Sequence, residues 1–138
     1  MYEYKCTVDR VVDGDTIDVV LDLGFDIKFK SRVRLYGIDT PECRTRDLDE
    51  KARGKMAAGF VQSSVEEGEL IQIRTKLKDS RGKYGRVLGE LIVDGININQ
   101  SMIDKHYCVA YYGQNKEAVE HQHMLNRGKL IKAVFFLF

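Results

Sequence analysis

Residues 4–35, YKCTVDRVVDGDTIDVVLDLGFDIKFKSRVRL, decide the fold of this chain. Apolar and polar side chains alternate along most of this stretch, which is the pattern of half-buried β-strands. The turn signals Asp13-Gly14 and Asp22-Leu23-Gly24 interrupt the alternation. We therefore predict three strands joined by tight turns, a β-meander that no helical pattern interrupts.

The hydrophobic period changes after Pro41. Asp47 followed by Glu50 is a capping-box pattern, and the apolar residues that follow recur at helical spacing. The residues of this stripe are Ala52, Met56, Phe60, Val61 and Val65. Gly68 stands where a C-terminal cap is expected, so we predict a long helix between Asp47 and Gly68.

Two more strands are predicted in the second half of the chain. Strand spacing returns at residues 70–73 and again at 87–93, with a polar loop at 78–83 between them. Asp94-Gly95 is a strong signal for a tight turn after the second of these strands.

Two shorter helices complete the prediction. Asn97 is expected to cap the first, and Asn115 to cap a second one that ends near Arg127, before Gly128. The order of three strands, a helix, two strands and two helices is that of an OB-fold. We therefore predict an α+β, mainly β chain, with a five-stranded antiparallel barrel and three α-helices in a single domain spanning residues 1–138.

The composition is that of a folded domain, with 43% hydrophobic and 31% charged residues among 138. A net charge of +1 argues against a protein that binds nucleic acid mainly by long-range electrostatic attraction. It does not argue against an enzyme that binds one or two phosphates locally. Three cysteines without paired spacing favour a reduced setting, and the start of the chain is not a signal peptide. We expect a cytoplasmic protein with no membrane association. Secretion stays open if a leader preceded this sequence, and a monomer is favoured although the oligomeric state is open.

Two acidic turns stand at the ends of predicted strands. Asp15 lies in the first turn, and Asp39 and Glu42 lie in the second, after the strand that carries Arg34. If the turns meet in space, their carboxylates repel one another unless a cation or a proton resolves the repulsion. A hard cation beside an arginine suits an anionic oxygen substrate, and phosphate is the leading candidate. The pattern predicts metal-assisted phosphodiester cleavage.

With these motifs placed, the chain resembles the staphylococcal nuclease family. The resemblance is carried by three motifs in a fixed order: Asp13-Gly14-Asp15-Thr16, the run from Arg34 to Asp39-Thr40-Pro41-Glu42, and Tyr84-Gly85-Arg86. It implies an OB-fold and calcium-dependent hydrolysis of DNA and RNA with little sequence preference. It also implies products with 3′-phosphate and 5′-hydroxyl ends. Single-stranded or flexible nucleic acid is the expected substrate.

The resemblance assigns the acidic residues. Asp15 and Asp39 become calcium ligands, together with the carbonyl oxygen of Thr40. Glu42 becomes the acidic catalytic residue beside the attacking water. For Asp13, an outer-shell partner of the metal and a simple turn-former are equally favoured.

The resemblance also assigns the basic and aromatic residues. Arg34 and Arg86 become a catalytic pair that binds the phosphate. Tyr84 and Tyr111 match positions that line the nucleotide pocket, and Lys83 is predicted to bind substrate with them. Taken without the resemblance, Tyr111 is a core or rim aromatic with a modest preference for base stacking.

Several residues receive structural interpretations. His121 and His123 are predicted to be surface residues, because positions two apart on a helix do not face each other. Asn99 is taken as structural, with its amide satisfying backbone groups near a helix start. The segment Cys43-Arg44-Thr45-Arg46-Asp47 differs from the longer lysine-rich loop of the staphylococcal enzyme, which leaves substrate preference and rate open.

Two alternatives accompany the main prediction. One is a catalytically inactive OB-fold module that binds nucleic acid or protein. The other is use of a different divalent ion, since magnesium demands shorter and more regular coordination than calcium.

Overall fold

The computed structural model describes residues 2–75 and 87–137. The strands are β1 (Glu3–Asp13), β2 (Thr16–Asp22), β3 (Lys28–Leu35), β4 (Ile38–Asp39), β5 (Ile71–Thr75), β6 (Val87–Val93), β7 (Ile96–Asn97) and β8 (Val109–Ala110). The helices are α1 (Leu48–Glu67), α2 (Ile98–Asp104) and α3 (Lys116–Leu137). The predicted order of long elements is confirmed, with the two-residue strands β4, β7 and β8 in addition. The predicted loop at 78–83 lies outside the described residues.

Five strands close into the predicted OB-fold barrel. They are ordered β3-β2-β1-β5-β6, with β7 added beside β6, and every consecutive pair in this order is antiparallel. The ring closes where residues 33–35 of β3 pair with residues 87–89 of β6, and this pairing is parallel. The predicted five-stranded barrel is confirmed, and only its closing pair differs from the antiparallel pairing that was expected. An odd number of strands cannot alternate in direction all the way around a closed ring.

The core follows the period-two pattern that the sequence shows. Ile17, Val19 and Leu21 of β2 are all buried, and alternate residues of β1 pack against the same cluster. On β3 only Val33 and Leu35 are buried, and Ile27, just before this strand, is 54% exposed. The core contacts of β3 are thus concentrated at the end that pairs with β6.

Helix α1 begins and ends where predicted. Asp47 caps it by accepting hydrogen bonds from the backbone N–H groups of Asp49 (3.1 Å) and Glu50 (3.3 Å), and Gly68 is its C-terminal cap. The predicted stripe is only partly correct. Val61 is buried and Phe60 and Val65 pack against the core, but Ala52 and Met56 are exposed. The buried face instead continues through Gly54 and Ala57.

Helices α2 and α3 have the predicted caps. The side chain of Asn97 accepts from Gln100 N (3.1 Å), and that of Asn115 accepts from Ala118 N (2.8 Å). The predicted end of α3 near Arg127 is wrong, because the helix continues through Gly128 to Leu137. One glycine costs a helix interior only about 1 kcal/mol. None of the described helices, α3 included, is both long and apolar enough to cross a membrane.

Asn99 joins two parts of the barrel through its buried side chain. Its Nδ2 donates to Tyr36 O (2.9 Å), and its Oδ1 accepts from Leu91 N (3.1 Å). The structural role predicted for Asn99 is confirmed. The groups that it satisfies belong to β6 and to the turn after β3, not to a helix start.

Candidate active site

The two acidic turns meet beside the end of β3. Leu35 N donates to Asp15 O (2.8 Å), and Thr40 N donates to Asp15 Oδ2 (3.3 Å). Arg34 Nη2 lies 3.5 Å from Asp15 Oδ2 and 4.0 Å from Asp39 Oδ1. The structure thus brings Asp15, Asp39 and Arg34 together around one guanidinium nitrogen.

Helix α1 holds both turns in place by close backbone approach. A Cβ added at Gly14 would lie 2.8 Å from Ala57 Cβ, and one added at Gly54 would lie 2.7 Å from the carbonyl oxygens of Pro41 and Glu42. Such distances leave no room for a side chain. The small residues that interrupt the predicted apolar stripe are therefore the ones that set the two turns against a single helix.

Asp15 is the more enclosed of the two converging carboxylates. Its side chain is 15% exposed. Oδ1 accepts from Thr16 Oγ1 (3.1 Å), while Oδ2 faces Thr40 N and Arg34 Nη2. These donors come from its own turn and from the strand and turn directly beside it, so one backbone N–H and two side chains orient this carboxylate.

His123 lies against the other carboxylate. Its Nε2 is 2.8 Å from Asp39 Oδ2, and its side chain is 15% exposed. The surface prediction is therefore wrong for His123, although His121 is exposed. The error concerns helical phase. Val119 and Asn126 are buried, and His123 lies four residues after the first and three before the second, a spacing that the sequence already contained.

Arg34 is oriented by backbone carbonyls. Nη1 donates to Leu35 O (2.9 Å) and Nη2 donates to Ile38 O (2.9 Å). A guanidinium carries five N–H groups, so three are left after these two hydrogen bonds. The side chain is thus fixed in direction and keeps donors for an oxygen anion.

Glu42 stands on the rim of the site, exposed. No hydrogen bond or ion pair joins its carboxylate to another residue in the described ranges. Its pKa is raised above the usual value, first by partial desolvation and then by the charges of four carboxylates, Asp15, Asp13, Asp39 and Glu50. The rim therefore carries an excess of negative charge.

The donor chemistry of the site fits a hard divalent cation. The Asp15 and Asp39 carboxylates and the Thr40 carbonyl supply oxygen atoms, which calcium prefers. The buried Asp13 Oδ1 has no hydrogen-bond partner among the described residues. Within 2–75 and 87–137 no three His, Cys, Asp or Glu side chains form a metal cage. Water and substrate would have to complete a shell of 6–8 oxygens.

A cavity of about 490 Å³ opens beside Glu42. The second acidic turn, the first part of α1 and the start of α3 form its walls, and it is lined by Asp39, Tyr111, Lys116 and His123 among others. Its volume lies within the range of about 300–1,000 Å³ that is typical of small-molecule pockets. Tyr111 lies on the wall of this cavity, next to the acidic turn.

Lys83, Tyr84 and Arg86 lie outside the described residues. The divergent segment after Glu42 is described, and there Asp47 N donates to Thr45 Oγ1 (3.2 Å) just before α1 begins.

Comparison with known proteins adds to this geometry. A family model described as "Staphylococcal nuclease homologue" matches residues 32–130. Over 116 residues each, the chain is 31% identical to endonuclease YhcR, 32% to endonuclease YncB and 34% to SPbeta prophage-derived endonuclease YokF, all from Bacillus subtilis. These matches cover 80%, 83% and 83% of this chain, respectively. They cover 9%, 52% and 37% of the relatives, so the chain spans about half or less of their length.

Proposed function

This chain belongs to the staphylococcal nuclease family, and we propose that it is a calcium-dependent nuclease that hydrolyses phosphodiester bonds in DNA and RNA with little sequence preference. The observation that carries the proposal is the approach of Asp15 and Asp39 to one nitrogen of Arg34. The endonuclease names of similar Bacillus proteins support the same class of reaction.

Asp15, Asp39 and the Thr40 carbonyl would hold the calcium ion. When bound, the ion screens the phosphate charge and stabilises the charge that grows in the transition state. Thr16 and Thr40 orient Asp15 in advance through their hydrogen bonds. Because this carboxylate is already positioned, little reorganisation is needed when charge develops in the site.

Arg34 would bind the phosphate of the scissile bond. Its free N–H groups form a planar fork that can give paired hydrogen bonds to phosphoryl oxygens, which a lysine cannot reproduce. The carbonyls of Leu35 and Ile38 hold this fork in one direction. On the family resemblance, Arg86 would supply the second guanidinium.

Glu42 would act as the general base. It accepts a proton from a water molecule whose oxygen forms a bond to phosphorus. The bond between phosphorus and the 5′ oxygen then breaks, and that oxygen takes up a proton to leave 3′-phosphate and 5′-hydroxyl ends. The raised pKa of Glu42 brings it nearer to neutral pH, where a general base is most effective.

The cavity beside Glu42 would take the nucleotide next to the scissile bond. Tyr111 is 41% exposed on its wall and offers a ring for base stacking. Tyr84 would contact the same nucleotide, as the resemblance implies, and Lys83 would bind the substrate beside it. A base inside a duplex would have to leave its stack to enter, so single-stranded or flexible nucleic acid is the expected substrate.

The test is cleavage of end-labelled single-stranded DNA and of RNA, with calcium or with a chelator, followed by analysis of the product ends. We expect 3′-phosphate fragments only when calcium is present. Glu42→Gln should slow cleavage about 100-fold or more, whereas Glu67→Gln at the exposed end of α1 should leave it unchanged. The catalytic assignment is wrong if Glu42→Gln and Arg34→Ala both cleave like the unaltered chain.

The same assay separates the alternatives. Tight binding of oligonucleotide with no calcium-dependent fragments would identify an OB-fold binding module instead of an enzyme. Rates measured with magnesium or manganese in place of calcium would identify the ion that supports turnover.

A further inference from the structure

Helix α3 is tied to the strand next to Asp39. Asn126 Nδ2 donates to Cys108 O (3.0 Å), and both groups are buried. Cys108 directly precedes β8, which pairs with β4 so that Val109 lies opposite Asp39. The position of α3 is thus set from the same pair of short strands that presents the Asp39 carboxylate.

A second contact joins α3 to the start of α1. Arg127 Nε lies 3.2 Å from Asp49 Oδ2, at the start of α1. His123 stands one helical turn before Asn126 and shares its face. Its Nε2 therefore reaches Asp39 Oδ2 at 2.8 Å, and the ring is largely enclosed.

We propose that His123 is a positioning residue that fixes the Asp39 carboxylate for metal binding, an inference that rests on the proposed function. The Asp39 side chain is 36% exposed, and its other described contact is the 4.0 Å approach of Oδ1 to Arg34 Nη2. The terminal torsion of an aspartate is broad, so this carboxylate needs a partner to define its plane. By engaging Oδ2, His123 leaves Oδ1 on the side of Arg34 and Asp15, where the cation would bind.

His123 is assigned to orientation and not to the ligand set. Its Nε2 is already engaged by Asp39, and calcium selects oxygen donors over an imidazole. Hydrogen-bond partners of metal ligands typically change metal affinity about 10–100-fold when they are removed. An effect of that size is expected here.

The experiment compares His123→Gln with His123→Asn in the full chain. A glutamine Nε2 can reach the place of the histidine Nε2, whereas an asparagine is one methylene too short. Calcium affinity is measured directly by calorimetry, and the calcium dependence of cleavage is measured separately. His121→Asn, at an exposed position of the same helix, is the control, and thermal unfolding of each variant shows whether it folds.

We expect His123→Asn to weaken calcium binding about 10-fold and to raise the calcium concentration for half-maximal cleavage equally. The rate at saturating calcium should change less. His123→Gln and His121→Asn should bind calcium like the unaltered chain. Equal affinity in folded His123→Asn overturns the inference and leaves the proposed function standing. If His123→Asn does not fold, a 10-fold loss in His123→Gln also overturns the inference, since the bond would not be what matters. An unaltered chain that binds no calcium overturns both.

Discussion

The two acidic residues of the site are held in different ways. Asp15 is 15% exposed and takes hydrogen bonds from its neighbour Thr16 and from Thr40, 25 residues away. Asp39 is 36% exposed, and its close partner His123 comes from 84 residues further along the chain. The first carboxylate is held by donors from two turns that meet beside β3, whereas the second depends on where a separate helix is placed.

A change that displaces the second acidic turn from α1 should have the largest effect. Gly54→Ala would put a Cβ at 2.7 Å from the carbonyl oxygens of Pro41 and Glu42, so either α1 or the second turn must shift. We expect the free energy of unfolding to fall by about 1–3 kcal/mol, and cleavage to be lost with it. Urea unfolding and the cleavage assay measure the two effects.

Gly59→Ala is the matched control on the same helix. No atom lies within 4 Å of the added Cβ at that position. Here alanine should stabilise the helix by up to about 1 kcal/mol. Similar losses of stability in both variants would contradict the close approach at Gly54.

The next prediction separates the two carboxylates. Asp15→Ala leaves the N–H of the buried Thr40 and one side of Arg34 without their acceptor. It should cost about 2 kcal/mol of stability. Asp39→Ala should cost less than about 1 kcal/mol, because its carboxylate is more exposed and holds no backbone group among the described residues.

Denaturant unfolding in the presence of chelator measures this difference without a contribution from bound ion. Both variants should fail to cleave, so only stability distinguishes them. Equal costs would show that Asp39 is as firmly built into the fold as Asp15.

The smallest effect is expected from the charge of Glu42. Its raised pKa means that ionisation is less favourable in the folded chain than in the unfolded one. Protonation of Glu42 therefore favours the folded chain. This contribution to stability is complete below the pKa of Glu42 in the unfolded chain, and it is lost as the pH rises through the pKa of Glu42 in the folded chain. Glu42→Gln should therefore stabilise the fold above that window, by at most about 0.5 kcal/mol at this exposed position.

The sign of this stability difference is checked by thermal unfolding of both chains in chelator. The two pH values, about 3 and about 8, lie on either side of the ordinary glutamate pKa. The variant and the unaltered chain should coincide at the acidic end. A stabilisation that persists there would point to a cause other than charge.

The Asp15 half of the site could be predicted because its signals are local. Asp13-Gly14-Asp15-Thr16 combines a turn with alternating strands on both sides, and Arg34 stands at the end of a strand with a clear inward face. These patterns depend on nearest neighbours along the chain. They placed both turns at strand ends, and the barrel then brought them together.

The other features depend on packing between distant elements. Ala52 and Met56 fit an apolar stripe, but the helix approaches the turns so closely that Gly54 and Ala57 form the buried face. His123 was misassigned because the phase of α3 is set by Asn126 and its bond to Cys108. Helical spacing alone does not determine which face of α1 or of α3 packs against the rest of the fold.

Because α1 packs against the second acidic turn at Gly54, the short segment 43–46 between them is not needed to hold that turn in place. The turn is fixed at Pro41 and Glu42 by contact with the helix, and the helix start is fixed by the Asp47 cap. Residues 43–46 therefore connect two fixed points. The entropic cost of closing a loop grows only slowly with its length, so a longer segment would cost little stability here. Lengthening this segment or changing its charge would alter the surface next to Glu42 while the Asp15 and Asp39 carboxylates keep their positions. In the proposed nuclease, substrate preference would then change through residues 43–46 without a change at Asp15 or Asp39.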